Sequence, residues 1–369
     1  MTDACAKFLL RAGLQQLLAL IEASGFDCVG PQVRDGAIVY ERMGSAADLP
    51  EGMRASQQPG EYRLEQAGDQ RLFAWANGPQ ALKPLLFAPE EPLWRARRTE
   101  QGFAVEACVP QTAPLAVIGV RACDLAALAI QDKIFLQGPY PDPNYAARRE
   151  SLFLVAVNCT HPAATCFCAS TGDGPRATHG FDIALTELDD GFVAHAGSPR
   201  GERMLDELAL PDATPPQIAS DRSAVEQAAA QQTRSLPGRN LRDALFANLQ
   251  HPRWDEVAAR CLSCGNCTLV CPTCFCHAEA DVPSLDGADT VHQRQWDSCF
   301  SQGHAYIHGM QLRPQISQRY RQWLTHKLGS WHDQFGSSGC VGCGRCIAWC
   351  PVGIDITEEA GAICGGGDG

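Results

Sequence analysis

The pattern of apolar and polar positions predicts an α/β protein. Two continuous apolar runs, Leu115–Val120 and Leu152–Val157, have the length and composition of strands that are buried on both faces. Residues 125–134, which lie between them, have helical character, and strand, helix and strand in this order indicate a parallel pair. Cys123 and Cys159 stand just past the ends of the two strands. Both cysteines are therefore expected at the same edge of the sheet.

Shorter patterns surround this pair of strands. Residues 8–21 carry apolar side chains at helical spacing and predict a single amphipathic helix. Further strands are predicted at residues 37–40, 72–76, 103–108, 181–186 and 192–196, the last two as a hairpin. Further helices are predicted at residues 202–208, 224–233, 241–249 and 315–327. Pro215 and Pro216 are expected to lie in the connection between the first two of these helices.

Composition limits the classes of function. With 369 residues, of which 45% are hydrophobic and 20% charged, the chain is long enough for two or three globular domains. A formal net charge of −12 argues against a nucleic-acid-binding protein, which would carry a basic surface. No apolar stretch approaches the roughly 18 residues of a membrane helix, and the N-terminal pattern is not that of a signal peptide. We expect a cytoplasmic protein without nucleic-acid or membrane partners.

Two cysteine runs carry the strongest chemical signal. The run from Cys261 to Pro272 and the run from Cys340 to Pro351 both read Cys-x2-Cys-x2-Cys-x3-Cys-Pro, the spacing with which bacterial ferredoxins hold [4Fe–4S] clusters. In that motif three thiolates bind one cluster and the fourth binds the other. The predicted ligands are Cys261, Cys264, Cys267 and Cys350 for the first cluster, and Cys340, Cys343, Cys346 and Cys271 for the second. A zinc ribbon is the alternative, but it uses paired Cys-x2-Cys hooks.

These runs suggest a division into two domains. Residues 235–238, Ser-Leu-Pro-Gly, lie between a helical pattern and the first cysteine run. We expect an N-terminal α/β domain over residues 1–236 and a C-terminal α+β ferredoxin-like domain over residues 237–369. The distance between the two runs predicts an insertion in the C-terminal domain at about residues 277–339.

A second cysteine pattern occurs twice. Residues 158–168 align without gaps to residues 266–276, and seven of the eleven positions are identical. In the first copy, Cys166 and Cys168 follow the second predicted strand. Four cysteines complete the ligand set of a cubane, so a third cluster is predicted. Its ligands would be Cys123, Cys159, Cys166 and Cys168. A redox-active thiol pair, a zinc site or unliganded cysteines are the alternatives.

The second copy leaves three cysteines without an assignment, namely Cys274, Cys276 and Cys299. They would bind a fourth cluster if one further ligand were available, and His277 is a candidate. The alternative is that they only pack within the insertion. Four other cysteines are isolated and are predicted not to be ligands: Cys5, Cys28, Cys108 and Cys364.

Motifs for substrate chemistry are missing. No G-x-G-x-x-G follows a predicted strand, no lysine is preceded by glycine as in a P-loop, and H-E-x-x-H and G-x-S-x-G are absent. The chain therefore combines many predicted redox centres with no visible catalytic residues, which indicates an electron relay.

Several motifs resemble the 4Fe–4S dicluster subunit family. They are Arg121-Ala-Cys-Asp124, the two copies of the repeated pattern, Trp296-Asp-Ser-Cys299 and the second ferredoxin run. That family includes the beta subunit of cytoplasmic [NiFe] sulfhydrogenases and the iron–sulfur subunit of anaerobic sulfite reductase. The resemblance spans about residues 115–356. It implies an electron-transfer subunit seated between a flavin subunit that handles NAD(P)H and a catalytic subunit with a nickel–iron site or a siroheme.

The leading hypothesis is therefore the beta subunit of a cytoplasmic NAD(P)-linked [NiFe] hydrogenase. The iron–sulfur subunit of an anaerobic sulfite reductase is the alternative within the family. A self-sufficient reductase that binds substrate at the N-terminal cysteines is an alternative of another class, and a scaffold with purely structural clusters is a third.

Overall fold

The computed structural model describes residues 6–80 and 82–365. The strands are β1 (Lys7–Leu10), β2 (Asp27–Arg34), β3 (Ala37–Arg42), β4 (Met53–Gln58), β5 (Glu61–Gln66), β6 (Glu90–Thr99), β7 (Gly102–Ala107), β8 (Leu115–Val120), β9 (Leu152–Val157), β10 (Ile183–Glu187), β11 (Gly191–Ala196), β12 (His277–Pro283), β13 (Asp289–Trp296), β14 (Tyr306–Ile307) and β15 (Met310–Gln311).

The α-helices are α1 (Leu14–Ala23), α2 (Lys83–Leu86), α3 (Ala122–Phe135), α4 (Pro143–Glu150), α5 (Cys168–Thr171), α6 (Pro199–Glu207), α7 (Pro215–Ala230), α8 (Arg242–Ala247), α9 (Arg253–Arg260), α10 (Asn266–Leu269), α11 (Ile316–Thr325), α12 (Trp331–Phe335), α13 (Arg345–Ala348) and α14 (Ile356–Cys364). A π-helical turn, His326–Ser330, joins α11 to α12.

A seven-stranded mixed sheet forms the centre of the N-terminal part. Its order is β1-β11-β10-β9-β8-β2-β3, and the four strands β10, β9, β8 and β2 run parallel. The two apolar runs predicted as a parallel pair are adjacent, with Leu115 opposite Leu152. The predicted hairpin is also present, since β10 and β11 pair antiparallel. The predicted mixed α/β class is thus confirmed.

Helices cover both faces of this sheet. On one face α1 and α6 bury Leu17, Ile21 and Leu205 against side chains such as Phe153. On the other face α2, α3 and α4 bury a second apolar cluster that contains Leu128. Because both faces are covered, β8 and β9 read as continuous apolar runs rather than as alternating ones.

The single N-terminal helix predicted for residues 8–21 is wrong in its first part. Residues 7–10 form the edge strand β1, which pairs with β11, and α1 begins at Leu14 after a short 3₁₀ turn at Arg11–Gly13. Phe8 and Leu9 are buried, whereas Leu10 is 62% exposed. A run of four residues is too short to distinguish a strand period from a helical period.

The strand predicted at residues 72–76 is also wrong, although these residues are buried. Side chains take the place of a neighbouring strand. The Glu187 carboxylate accepts hydrogen bonds from the backbone N–H groups of Leu72 and Phe73, each at 2.8 Å. Arg121 donates to the carbonyls of Phe73 and Trp75, also at 2.8 Å. The backbone groups are satisfied without a sheet, so the apolar run need not be a strand.

The helix predicted at residues 224–233 begins earlier, at Pro215. The Thr214 side chain accepts a hydrogen bond from the backbone N–H of Gln217, and the Gln217 side chain bonds back to the backbone of Thr214. Proline is well tolerated at the first helical position because its missing N–H would have no partner there. Pro215 and Pro216 therefore start a helix instead of separating two.

Strands from distant parts of the chain share a second sheet, in the order β12-β13-β6-β7. Arg294 of β13 is buried and forms ion pairs with Glu91 of β6 and with Asp142. The first strands of the predicted insertion thus share a sheet with β6 and β7, which precede the parallel strands β8 and β9 in sequence. The boundary at residue 236 stays a prediction.

Helices surround the cysteine runs in the C-terminal part. α8, α9, α11 and α14 bury a cluster that includes Trp254, Leu324 and Ile363 together with Cys340 and Cys350. The helix predicted at residues 315–327 is confirmed as α11 and its π-helical continuation. The runs are therefore held inside a helical shell of large apolar side chains.

Candidate metal centres

The structure brings together the four cysteines predicted for the first ferredoxin cluster. Cys261 directly follows α9, Cys267 lies in α10, and Cys350 arrives from the second run. Burial raises the pKa of the Cys267 thiol, and the neighbouring thiols of Cys261, Cys350 and Cys264 raise it further. All four line one cavity. That they bind a cluster stays a prediction.

The second predicted set is assembled in the same way. Burial raises the pKa of the Cys346 thiol, and Cys340, Cys343 and Cys271 add to this effect. Cys271 therefore reaches the cysteines of the second run, as Cys350 reaches those of the first. This exchange of the fourth cysteine between the runs is the arrangement that the motif predicts.

Equivalent glycines shape the two runs. Gly265 and Gly344 have φ of +78° and +73°, and each immediately precedes a four-residue helix, α10 or α13. A left-handed residue at this point turns the chain so that its backbone passes around the cysteines, and glycine adopts that conformation without a steric penalty. Backbone N–H groups also point at sulfur: Ser263 donates to Cys261 at 3.4 Å and Ile354 to Cys350 at 3.3 Å.

These features fit the group that the motif implies. Thiolates, apolar walls and backbone donors to sulfur are what a [4Fe–4S] cluster requires of its protein. Among the described residues, no three His, Cys, Asp or Glu side chains converge on one point as ligands of a single metal ion do. The ligands of a cubane surround eight atoms instead of one, so they stand further apart.

The four N-terminal cysteines also meet, at the carboxyl ends of β8 and β9. Cys123 lies in the first turn of α3, and Cys159 comes two residues after β9. Burial raises the pKa of the Cys168 thiol, with further contributions from Cys166 and Cys159. Burial likewise raises the pKa of Cys123, whose neighbours include Cys168. The expectation that both strand ends deliver cysteines to one sheet edge is met.

This third group directly adjoins the second ferredoxin run. The Phe167 N–H donates to the Gly342 carbonyl at 2.8 Å. A Cβ atom on Gly342 would lie only 2.6 Å from the backbone nitrogen of Cys168, so only glycine allows this approach. Cys343 is among the neighbours that raise the pKa of Cys123. The third and second groups are thus in contact.

Polar side chains around the third group were not found by sequence reasoning. The Asn77 amide donates to Cys123 Sγ at 3.1 Å, and the Gln232 amide donates to Cys168 Sγ at 3.4 Å. Such donors favour the thiolate form of a cysteine. Arg121 belongs to a motif that the family resemblance singled out, but nothing in that motif predicted that its guanidinium would be fully buried beside Cys159.

A buried ion pair connects the third group to the second ferredoxin run. Arg345 Nη1 and Nη2 lie 2.7 Å and 3.0 Å from the two carboxylate oxygens of Asp124. Arg345 also donates to the Gly78 carbonyl at 2.9 Å. Both side chains of the pair are at most 2% exposed. The pair fixes the second run against the first turn of α3.

The last three cysteines lie beside the ferredoxin runs. Cys274 is a neighbour of Cys271, and Cys276 is a neighbour of Cys299. Cys267 is a further neighbour of Cys299. This group therefore adjoins both ferredoxin-type ligand sets.

Two of the four lysines are buried at this group. Lys327 Nζ donates to Cys271 Sγ at 3.3 Å and to the Gly339 carbonyl at 3.1 Å. Burial acts to lower the pKa of Lys327, but the negative charge of the Cys271, Cys274 and Cys340 thiolates outweighs it and raises this pKa. Lys83 lies over the Trp296 ring at 3.8 Å, and burial lowers its pKa.

Replacing Lys327 by methionine is expected to lower the reduction potential of the cluster that Cys271 serves, because the ammonium stabilises the more negative reduced state. A hydrogen bond to a charged group contributes about 1.5–3 kcal/mol. For a one-electron couple about 1.4 kcal/mol corresponds to 59 mV, so the reduction potential should fall by at most about 130 mV. An EPR-monitored redox titration measures it. Lys133→Met is the control, since Lys133 bonds to Phe335 and Ser337 rather than to sulfur. An unchanged potential in Lys327→Met would contradict this role.

The isolated cysteines stand apart from these groups. Cys28 is buried in the core under the sheet, and burial raises the pKa of its thiol to about 11. Cys108 and Cys364 are half-buried. Cys5 lies outside the described residues.

Within residues 6–80 and 82–365, no helix combines the length and the apolar composition needed to cross a bilayer.

Comparison with known proteins adds two matches. Residues 260–354 match the family described as 4Fe-4S dicluster domain. The chain is 35% identical over 242 residues to sulfhydrogenase 2 subunit beta of Pyrococcus furiosus. The aligned region covers 65% of this chain and 71% of that protein. No solved structure matches the chain.

Proposed function

Because the chain belongs to the 4Fe–4S dicluster subunit family, which includes sulfhydrogenase beta subunits, we propose that it is an electron-transfer subunit of a multi-subunit hydrogenase. In this proposal it relays electrons between a flavin subunit that handles NAD(P)H and the catalytic subunits. The name of the Pyrococcus relative favours a hydrogenase over a sulfite reductase. Ligand thiols must stay reduced, which favours the cytoplasm as its location.

The observation that carries the proposal is the contact between successive cysteine groups. Cys123 of the third group packs with Cys343 of the second in one buried cluster. Cys346 of the second group lines the same cavity as Cys267 of the first. When loaded, [4Fe–4S] clusters exchange single electrons at low potential. Four such clusters are proposed, and each of the four cysteine groups touches at least one other.

One end of this series reaches the surface. Cys264 is exposed, and the apolar side chains of Leu262 and Leu269 beside it are 62% and 41% exposed. Exposed apolar residues around a metal ligand are suited to contact with another subunit. We place the docking site of one redox partner at this end.

The test is reduction of the isolated, anaerobically reconstituted chain. We expect dithionite to bleach the cluster absorbance and oxidised methyl viologen, added after the dithionite has been removed, to restore it, whereas NADH and NADPH leave it unchanged. The chain should contain about sixteen irons if all four groups hold cubanes. Bleaching by NADH or NADPH alone would contradict the relay, because the chain would then accept hydride itself. If dithionite does not reduce the clusters, they are structural and the chain is a scaffold instead of an electron relay.

A further inference from the structure

A histidine that the sequence did not single out lies next to the fourth cysteine group. His304 belongs to a short 3₁₀ turn, Gly303–Ala305, five residues after Cys299. The imidazole lies beside Cys276, because His304 bonds to Asp297 and the backbone N–H of Asp297 donates to the Cys276 carbonyl at 3.0 Å. Cys276 in turn neighbours Cys299. The side chain of His304 is 24% exposed, so most of the ring is enclosed by protein.

A carboxylate fixes the orientation of this imidazole. His304 Nδ1 lies 3.2 Å from Asp297 Oδ2. The other oxygen of Asp297 accepts hydrogen bonds from the Ser298 N–H and the Ser301 hydroxyl, each at 2.7 Å, so the carboxylate is itself held in place. Histidines that bind metals commonly give their second ring N–H to a carboxylate in this way. With Nδ1 engaged, Nε2 is the ring nitrogen left to bind iron.

His277, the candidate from the sequence, is engaged elsewhere. Its Nδ1 lies 3.1 Å from the Phe275 carbonyl, and its Nε2 lies 3.7 Å from a carboxylate oxygen of Glu279. Its ring packs edge-on against Phe87, with the ring centroids 6.1 Å apart. Although it is adjacent in sequence to Cys276, His277 therefore has other partners for its ring.

We propose that His304 is the fourth ligand of a [4Fe–4S] cluster whose other three ligands are Cys274, Cys276 and Cys299. The inference rests on the proposed function, in which these cysteines form a cluster site, and it assigns the ligand that completes the site. Asp297 is a positioning residue that holds Nδ1. A Cys₃His ligand set carries one negative charge fewer than a set of four cysteines. The EPR spectrum of this cluster is therefore expected to differ from the spectra of the clusters with four cysteine ligands.

The experiment compares His304→Ala with His277→Ala in the full chain after anaerobic reconstitution. We expect His277→Ala to keep the iron content and EPR spectrum of the unmodified chain. His304→Ala should lose roughly one to four irons per chain, either as a three-iron cluster that is paramagnetic when oxidised or as loss of the whole cluster. His304→Cys keeps four ligands and should restore the iron content with an altered spectrum, which separates loss of a ligand from failure to fold.

A further variant separates the inference from its premise. Cys274→Ser combined with Cys276→Ser should remove about four irons. If this variant loses iron while His304→Ala does not, the cluster exists and the histidine assignment is overturned. If neither variant loses iron, or if zinc is found in place of iron, the fourth cluster itself is absent. An effect of His277→Ala equal to that of His304→Ala would also overturn the assignment.

Discussion

Replacing Cys166 and Cys168 together by serine is expected to remove about four irons per chain, the content of one cubane, and to leave the two ferredoxin-type clusters in place. Both thiols are buried, at 7% and 5% exposure, and both lie against the second ferredoxin run through Phe167 and Gly342. Serine oxygens are poor ligands for iron–sulfur clusters, and the change in side-chain volume is small. A loss of iron would therefore result from the missing ligands and not from a change in core packing.

Iron and acid-labile sulfide per chain, with EPR of the dithionite-reduced protein, measure this effect. The control is Cys28→Ser combined with Cys108→Ser, since these cysteines stand apart from all four groups. We expect this control to retain its full iron content. Unchanged iron in the Cys166 and Cys168 variant would show that the N-terminal group is a redox thiol pair or unliganded.

Asp124→Ala is expected to have the largest effect on stability. It would leave the Arg345 guanidinium buried without its carboxylate, and breaking a buried pair by removing one partner costs about 3–5 kcal/mol. The thiol of Cys123 and the second ferredoxin run lie next to this pair, so weaker retention of the clusters should accompany the loss. Urea-induced loss of cluster absorbance under anaerobic conditions measures both effects.

Two comparisons isolate the cause. Glu41→Ala removes the partner of Arg34 in an exposed ion pair, for which we expect little or no change. Asp124→Ala combined with Arg345→Met removes both charges and should recover much of the lost stability. If the double variant were no more stable than Asp124→Ala, the unpaired guanidinium would not be the cause.

The sequence predicts this protein best where the signal is local. The spacing of the two ferredoxin runs predicts that the first three cysteines of each run meet, because these three lie in a single tight loop. Cys123 and Cys159 were placed on one sheet edge because β8 and β9 are apolar throughout, which marks strands buried on both faces. In these cases a few residues that are close together in sequence determine the local structure.

The groups that the sequence did not reveal act over long distances in the chain. Lys327 meets Cys271 across 56 residues, and Arg121 supports the carbonyls of Phe73 and Trp75 from nearly fifty residues away. A single buried charge has no period and no characteristic spacing, so no pattern along the chain marks it. His304 was missed for a related reason, since its partner Cys276 lies 28 positions earlier, across β12 and β13.

The exchange of cysteines between the two runs has a consequence for biosynthesis. Cys350 completes the set that begins at Cys261, and Cys271 completes the set that ends at Cys346. A growing polypeptide therefore has no complete ligand set for the first cluster until residue 350 has left the ribosome, and synthesis runs from the N-terminus at about 5–20 residues per second. If the cysteines bind clusters as proposed, iron delivery to these two sites follows translation as far as residue 350.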